Sequence, residues 1–148
     1  MVPIIRGILK SSKGWSIPYI CNVNKEHRMI LLCLHGFAGD KDSSVIAALM
    51  GSLDEKGIGV VTFDWPAHGE SDAPDEALIV ENCLGDLNIV VSWISQNWDM
   101  PVSCLFFARP FWRKLQNIFG ECCISKMEKV AKLPEGRLKP SGSIADIV

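Results

Sequence analysis

Four side chains in the first half of this 148-residue chain could do chemistry by type and spacing: His35, Asp64, His68 and Ser71. Asp64, His68 and Ser71 fall within DWPAHGES and supply a carboxylate, an imidazole and a hydroxyl. Those are the parts of a nucleophilic hydrolysis, in which an oriented imidazole takes the proton from an attacking serine. The spacing argues against that use. The three lie within eight residues, and Ser71 in Gly69-Glu-Ser-Asp-Ala73 is one residue short of G-x-S-x-G. It also follows a polar loop rather than a strand entering a helix, where a reactive serine is exposed. His35 is different: it ends the apolar run MILLCL and is followed by Gly36. The glycine frees the backbone where the run stops, so that the amides of Phe37 and Ala38 can point into a cleft.

These residues need elements to hold them. Met29–Leu34 and Ile58–Phe63 are short, wholly apolar runs bounded by turn residues, the pattern of strands buried on both faces. Val102–Phe107, started by Pro101, is a third. Ile4–Lys10 and Ser16–Val23 are β-rich and separated by SSKG, which predicts a hairpin. Between the apolar strands, Asp40–Ser44 offers helix N-caps ahead of Val45, Ile46, Leu49, Met50 and Leu53 at helical spacing, and Gly57 closes that helix. Glu76–Trp98 predicts the long helix, with an apolar stripe from Ile79 and Val80 to Ile94 and Trp98, and with Glu81, Asp86, Asn88 and Ser92 off the stripe. The order β-β-β-α-β-α-β is that of an α/β fold: a hairpin, then a mostly parallel sheet flanked by helices on both faces. Ligands of such sheets bind beyond the carboxyl ends of the strands, where His35, Asp64 and Ala108 all fall.

Composition bounds the function. A formal net charge of −2 gives no reason to expect nucleic acid or an anionic membrane surface as a partner. No apolar window reaches the roughly 18 residues that a membrane span needs. The six cysteines form no C-x-x-C pair and no Cys/His spacing suited to zinc, so neither metal nor cofactor is expected. Cys33 and Cys104 sit in apolar runs as small core residues. The N-terminus is too short and interrupted for a signal peptide, and the expected location is the cytoplasm, with reduced thiols.

The two apolar strands, the HGFAGDKDS loop and DWPAHGES resemble, in this order, the front half of an α/β-hydrolase, over roughly residues 4–108. The loop and the second motif look most like the serine-aminopeptidase and monoacylglycerol-lipase-like branch, whose members cleave small acyl esters or amides. The resemblance implies that the loop after the third strand supplies the oxyanion hole, with Phe37 donating its backbone N–H and with His35 and Gly36 shaping the loop. It also implies that Asp64, His68 and Ser71 hold the following loop rather than react. Ala67 stands where many members have glycine.

The nucleophile elbow should follow Val102–Phe107, as a tight turn with serine among small residues. Here the chain reads Ala108-Arg-Pro-Phe-Trp-Arg113, which puts Pro110 in the serine position and Trp112 and Arg113 in the glycine positions. All three histidines precede this point, whereas the hydrolase order is serine, acid, histidine. Charge changes at the same place: residues 1–108 hold 7 Lys+Arg against 13 Asp+Glu, and residues 109–148 hold 8 against 4. Read one base later, suitable codons for Arg109–Arg113 spell Gly-His-Ser-Gly-Gly. The expectation is therefore the N-terminal part of an α/β-hydrolase domain over residues 1–108, truncated near the elbow. An atypical tail, out of frame and partly disordered, would occupy residues 109–148, and the product would be inactive. The alternative is a non-catalytic module that binds a partner through the remnant cleft or the basic tail. A sheet cut short at Val102–Phe107 would also leave that strand as an edge with uncovered apolar faces, open to self-association.

Overall fold

A computed structural model describes residues 3–36 and 39–106 of the chain. Phe37, the last residue of the expected Val102–Phe107 strand, the elbow positions and the tail lie outside the described residues.

The chain runs β1 (Ile5–Lys10), β2 (Ser16–Cys21), β3 (Met29–Leu34), α1 (Ser44–Asp54), β4 (Ile58–Phe63), a 3-10 turn at Asp75–Ala77, α2 (Val80–Asn97) and β5 (Val102–Phe106). The described strands form one five-stranded sheet in the order β1-β2-β4-β3-β5. β3 pairs parallel with β4 on one side and with β5 on the other. β1 and β2 form the expected antiparallel hairpin, and β2 attaches it antiparallel to β4. Every residue of β4 is buried, because neighbouring strands and both layers of helix enclose it.

Strand pleating sends alternate side chains to opposite faces, and each face meets one helix. Leu32, Leu34, Val61, Phe63 and Cys104 pack with Cys83, Leu87, Val90, Val91 and Ile94 of α2. Leu31, Cys33, Val60 and Leu105 pack with Ile46, Met50 and Leu53 of α1. Each large aliphatic or aromatic side chain so buried contributes roughly 1.5–3 kcal/mol against its exposed state. Cys21, Cys33, Cys83 and Cys104 are all buried. Burial pushes the Cys33 thiol up to about 12, so it is inert as a nucleophile.

Four expectations need correction. The long helix does not begin at Glu76. Leu78 sits at φ −75°, ψ 73°, the centre of an inverse γ-turn closed by the Ile79 N–H on the Ala77 carbonyl at 2.8 Å, and this turn separates the 3-10 segment from α2. Ile79 and Val45, both assigned to buried stripes, are 46% and 51% exposed. Asp86, placed off the stripe, is buried. The apolar faces of β5 are not bare, since Val102, Cys104 and Leu105 are all buried, although β3 is its only partner among the described strands.

Candidate functional site

The carboxyl ends of the parallel strands β3 and β4 adjoin in register, Leu34 beside Phe63, so His35 and Asp64 emerge side by side. Both are buried. The His35 Nε2 to Asp64 Oδ1 distance is 4.0 Å, yet neither group serves the other. His35 Nε2 accepts the Trp65 backbone N–H at 3.2 Å, which leaves the proton on Nδ1, and Nδ1 donates to the Gly36 carbonyl at 2.8 Å. Burial lowers the His35 pKa from its ordinary 6.5 to about 4, against the opposing pull of the Gly36 carbonyl, with His68 adding to the fall. A neutral ring engaged at both nitrogens positions a loop; it does not shuttle protons. Trp65 completes the clamp, its indole Nε1 donating to the His35 carbonyl at 2.9 Å.

Asp64 holds the other side of the same loop. Its carboxylate accepts the Lys41 backbone N–H at 2.8 Å, the Lys41 ammonium at 2.8 Å and the Glu70 N–H at 2.9 Å. The Lys41 ammonium is itself buried and also donates to Glu70 at 3.0 Å and Asp42 at 3.1 Å. Burial works against this charge, but the hydrogen bonds to Asp64, Glu70 and Asp42 outweigh it and raise the pKa above that of an ordinary lysine. Asp42 pairs outward with Arg6 of β1 at 2.7 Å. One chain of charges thus ties β1, the β3–α1 loop and the β4–α2 loop together. Between the two anchors, the Gly39 N–H closes a turn on the Gly36 carbonyl at 3.0 Å.

The second motif explains itself in this geometry. Gly69 has φ +52°, and a Cβ there would run into the Asp64 carboxylate, so only glycine fits. Ala67 sits at φ 61°, in the left-handed region, where glycine would be unstrained. His68 Nδ1 meets the Pro66 carbonyl at 2.9 Å, and its ring lies 5.2 Å from that of His35. Ser71 Oγ accepts the Ala73 N–H at 3.3 Å as a turn cap. His35, Asp64 and His68 are therefore brought together as scaffold, and Ser71 stays in the turn beside them. Phe37, the expected oxyanion donor, lies outside the described residues; His35 and Gly36, expected to shape its loop, are joined by the His35 Nδ1 bond to the Gly36 carbonyl. His27 is far away in the fold, ahead of the amino end of β3.

Sequence reasoning missed Lys41 and Trp65. Lys41 lies between two aspartates in a polar loop, the pattern of a solvated N-cap region, and only its contact with the far-off Asp64 makes it structural. A second missed cluster joins the hairpin turn to α2: Trp15 Nε1 donates to Asp86 at 2.9 Å and the Lys13 ammonium to Asn82 at 2.6 Å. Burial raises the Asp86 pKa from 3.8 to about 6, opposed by the Trp15 bond. Among the described residues no group of three or more His, Cys, Asp or Glu side chains could hold a metal ion. No helix among them is long and apolar enough to cross a membrane.

A family model for the alpha/beta hydrolase fold matches residues 30–107, more than half of the chain. No curated protein matches it. Solved structures do. An alpha/beta hydrolase from Penicillium superposes with a TM-score of 0.62 at 16% identity, over 71% of this chain and 37% of its own. An esterase of Pyrococcus furiosus gives 0.61 at 16% identity, over 72% and 40%. An epoxide hydrolase from Vigna radiata gives 0.61 at 16% identity, over 86% and 36%. The chain thus spans about two fifths of the length of these structures, and at such identities the likeness is one of fold.

Proposed function

The chain belongs to the alpha/beta hydrolase fold family, and on that premise we propose that it carries the oxyanion-loop half of a serine hydrolase for small acyl esters or amides. The branch is the serine-aminopeptidase and monoacylglycerol-lipase-like one. One observation carries the reading: the loop after β3 is pinned from both sides, by Trp65 on His35 and by Asp64 on Lys41. Donors that stabilise an oxyanion must be fixed before charge develops, because reorganising them during the reaction would consume their effect. The pinned loop is built for that role, with Phe37 contributing the N–H.

In the parent reaction a serine Oγ attacks the acyl carbonyl and its proton passes to a histidine held by a carboxylate. The tetrahedral oxyanion rests on the loop amide, and the leaving group takes the proton as the acyl-enzyme forms. This chain carries Pro110 at the position of that serine. Proline has no nucleophile, so we read the 148-residue chain as a cytoplasmic, catalytically silent form whose reading frame has shifted at residue 109.

The test is direct. The purified chain should hydrolyse no p-nitrophenyl ester in a manner blocked by a fluorophosphonate, and should take no label from that reagent. Labelling together with sensitive turnover would overturn the silence. The gene's nucleotides, read from codon 100 past the stop, should show G-x-S-x-G in the shifted frame at codons 109–113. A shifted frame without that motif would overturn the frameshift.

A further inference from the structure

The two edges of the described sheet differ, and the difference points away from β5. Hydrophobic side chains are mostly buried in this fold, yet among the described residues three of the five large ones that are exposed lie together at β1: Ile4 at 55%, Ile5 at 48% and Ile8 at 67%. Side chains alternate along a strand, so Ile4 and Ile8 lie on one face and Ile5 on the other. The face of Ile4 and Ile8 also carries Arg6 and Lys10, and the face of Ile5 also carries Leu9, half-buried against the core, so each face exposes at least one isoleucine. β1 pairs only with β2 among the described strands, and its outer row of backbone donors and acceptors has no strand to meet.

Proteins usually blunt such an edge with lysine or arginine. β1 carries Arg6 and Lys10, but an acid of its own chain engages the arginine. Arg6 is bonded to Asp42 at 2.7 Å. Lys10 lies close enough to Asp72 to help lower its pKa, after the larger effect of the Ser16 N–H. Of the two charges that would repel a second copy of the strand, that of Arg6 is thus paired within the chain.

We propose that β1 is a self-association edge, at which two copies of this chain pair antiparallel across a twofold axis. A strand is complementary to itself in that arrangement, since each copy supplies the donors and acceptors that the other lacks. Pairing centred on Gly7 sets Arg6 against Ile8 of the second copy, Ile4 against Lys10 and Ile5 against Leu9. No like charges face each other, and each isoleucine gains a cross-strand neighbour. Seven residue pairs, over Ile4 to Lys10, make a small interface, so the dimer is a concentration-dependent one rather than an obligate one. The inference is independent of the catalytic reading.

Sedimentation of the full 148-residue chain over a range of concentrations tests it, together with amide hydrogen exchange along residues 5–10. The expected result is a monomer–dimer equilibrium in the micromolar range, with β1 amides that become protected as the dimer forms. Ile8→Lys should weaken association about tenfold or more, because the twofold axis counts the lost pair twice. Ile79→Lys, at an exposed isoleucine outside the sheet, should leave association unchanged. If the wild-type chain precipitates, Ile8→Lys should raise its soluble fraction and Ile79→Lys should not. A chain that stays monomeric at 100-micromolar order, a dimer indifferent to Ile8→Lys, or β1 amides that exchange freely in the dimer would each overturn the proposal.

Discussion

Each end of the sheet carries a histidine beside an aspartate, and the two pairs are wired in opposite ways. At the amino end of β3, His27 Nε2 lies 2.9 Å from Asp54 Oδ1, while Nδ1 accepts the Asn24 N–H at 3.1 Å. The protonated nitrogen therefore faces the carboxylate, as in a catalytic dyad. At the carboxyl end, His35 turns its bare Nε2 toward Trp65 and sits 4.0 Å from an Asp64 already saturated by Lys41 and Glu70. The tight pair lies where α/β sheets bind no ligand, and the loose pair lies where they do. The amino-end pair staples α1 to the β2–β3 loop: a Cβ on Gly59 would come within 2.7 Å of His27 Nδ1. Proximity of an acid and an imidazole does not make a dyad. The partners of each ring nitrogen decide it.

The largest effect should come from cutting the carboxyl-end network at its centre. Lys41→Met leaves the Asp64 carboxylate buried with two backbone donors among the described residues, and removal of one partner from a buried pair costs roughly 3–5 kcal/mol. Urea unfolding of the variant should show that loss; a change below about 1 kcal/mol would mean that the ammonium does not stabilise the cleft.

Next comes acid sensitivity, which separates the two histidines. His35 has a pKa of about 4 in the fold against an ordinary 6.5. As pH falls, the unfolded chain takes up this proton first, so stability present above about 6.5 is lost progressively down to about 4. At 1.36 kcal/mol per pKa unit the loss is on the order of 3 kcal/mol. Asp86 works in the opposite sense: raised from 3.8 to about 6, it contributes stability at low pH that is lost as pH rises through about 6. The comparison of wild type with His35→Gln therefore isolates the histidine, since Asp86 is common to both. Unfolding free energies measured from pH 7 to 4 should converge, and parallel curves would contradict the buried neutral assignment.

The smallest of the three lies at the amino end. Asp54→Ala removes a charge-assisted hydrogen bond to a buried imidazole and should cost about 2 kcal/mol. The acid sensitivity assigned to His35 at the other end of the sheet should be untouched, and any change there would break the contrast drawn between the two pairs.

Much of this was legible in the chain. β3 and β4 end where their apolar runs end, because strands enclosed on both faces are almost wholly apolar, Thr62 being the one polar side chain of the two, and that composition marks their bounds. The glycine of DWPAHGES was readable too, since Gly69 answers to a backbone angle and a neighbouring carboxylate six residues or fewer away. Helix α2 was readable in its body and not at its start. Local pattern sees helical spacing at Leu78 and Ile79, but the side-chain amide of Asn82 and the Ile79 N–H both meet the Ala77 carbonyl and divert the chain.

What tertiary structure alone decided is the fate of the charged and polar groups. The sequence by itself determined the order of elements, the burial of the central strands and the kinship of the two motifs, because these follow from apolar periodicity and local backbone constraint. It could not determine that Lys41 is buried, that Asp86 is enclosed against Trp15, or that β1 leaves Ile5 and Ile8 in water while Val102, Cys104 and Leu105 of β5 are buried. A charged side chain goes inside only where its partners converge from distant segments, and Lys41 finds Asp64 across 23 positions and Trp15 finds Asp86 across 71. Such partnerships are set by how strands and helices pack, and no single stretch of the chain contains them.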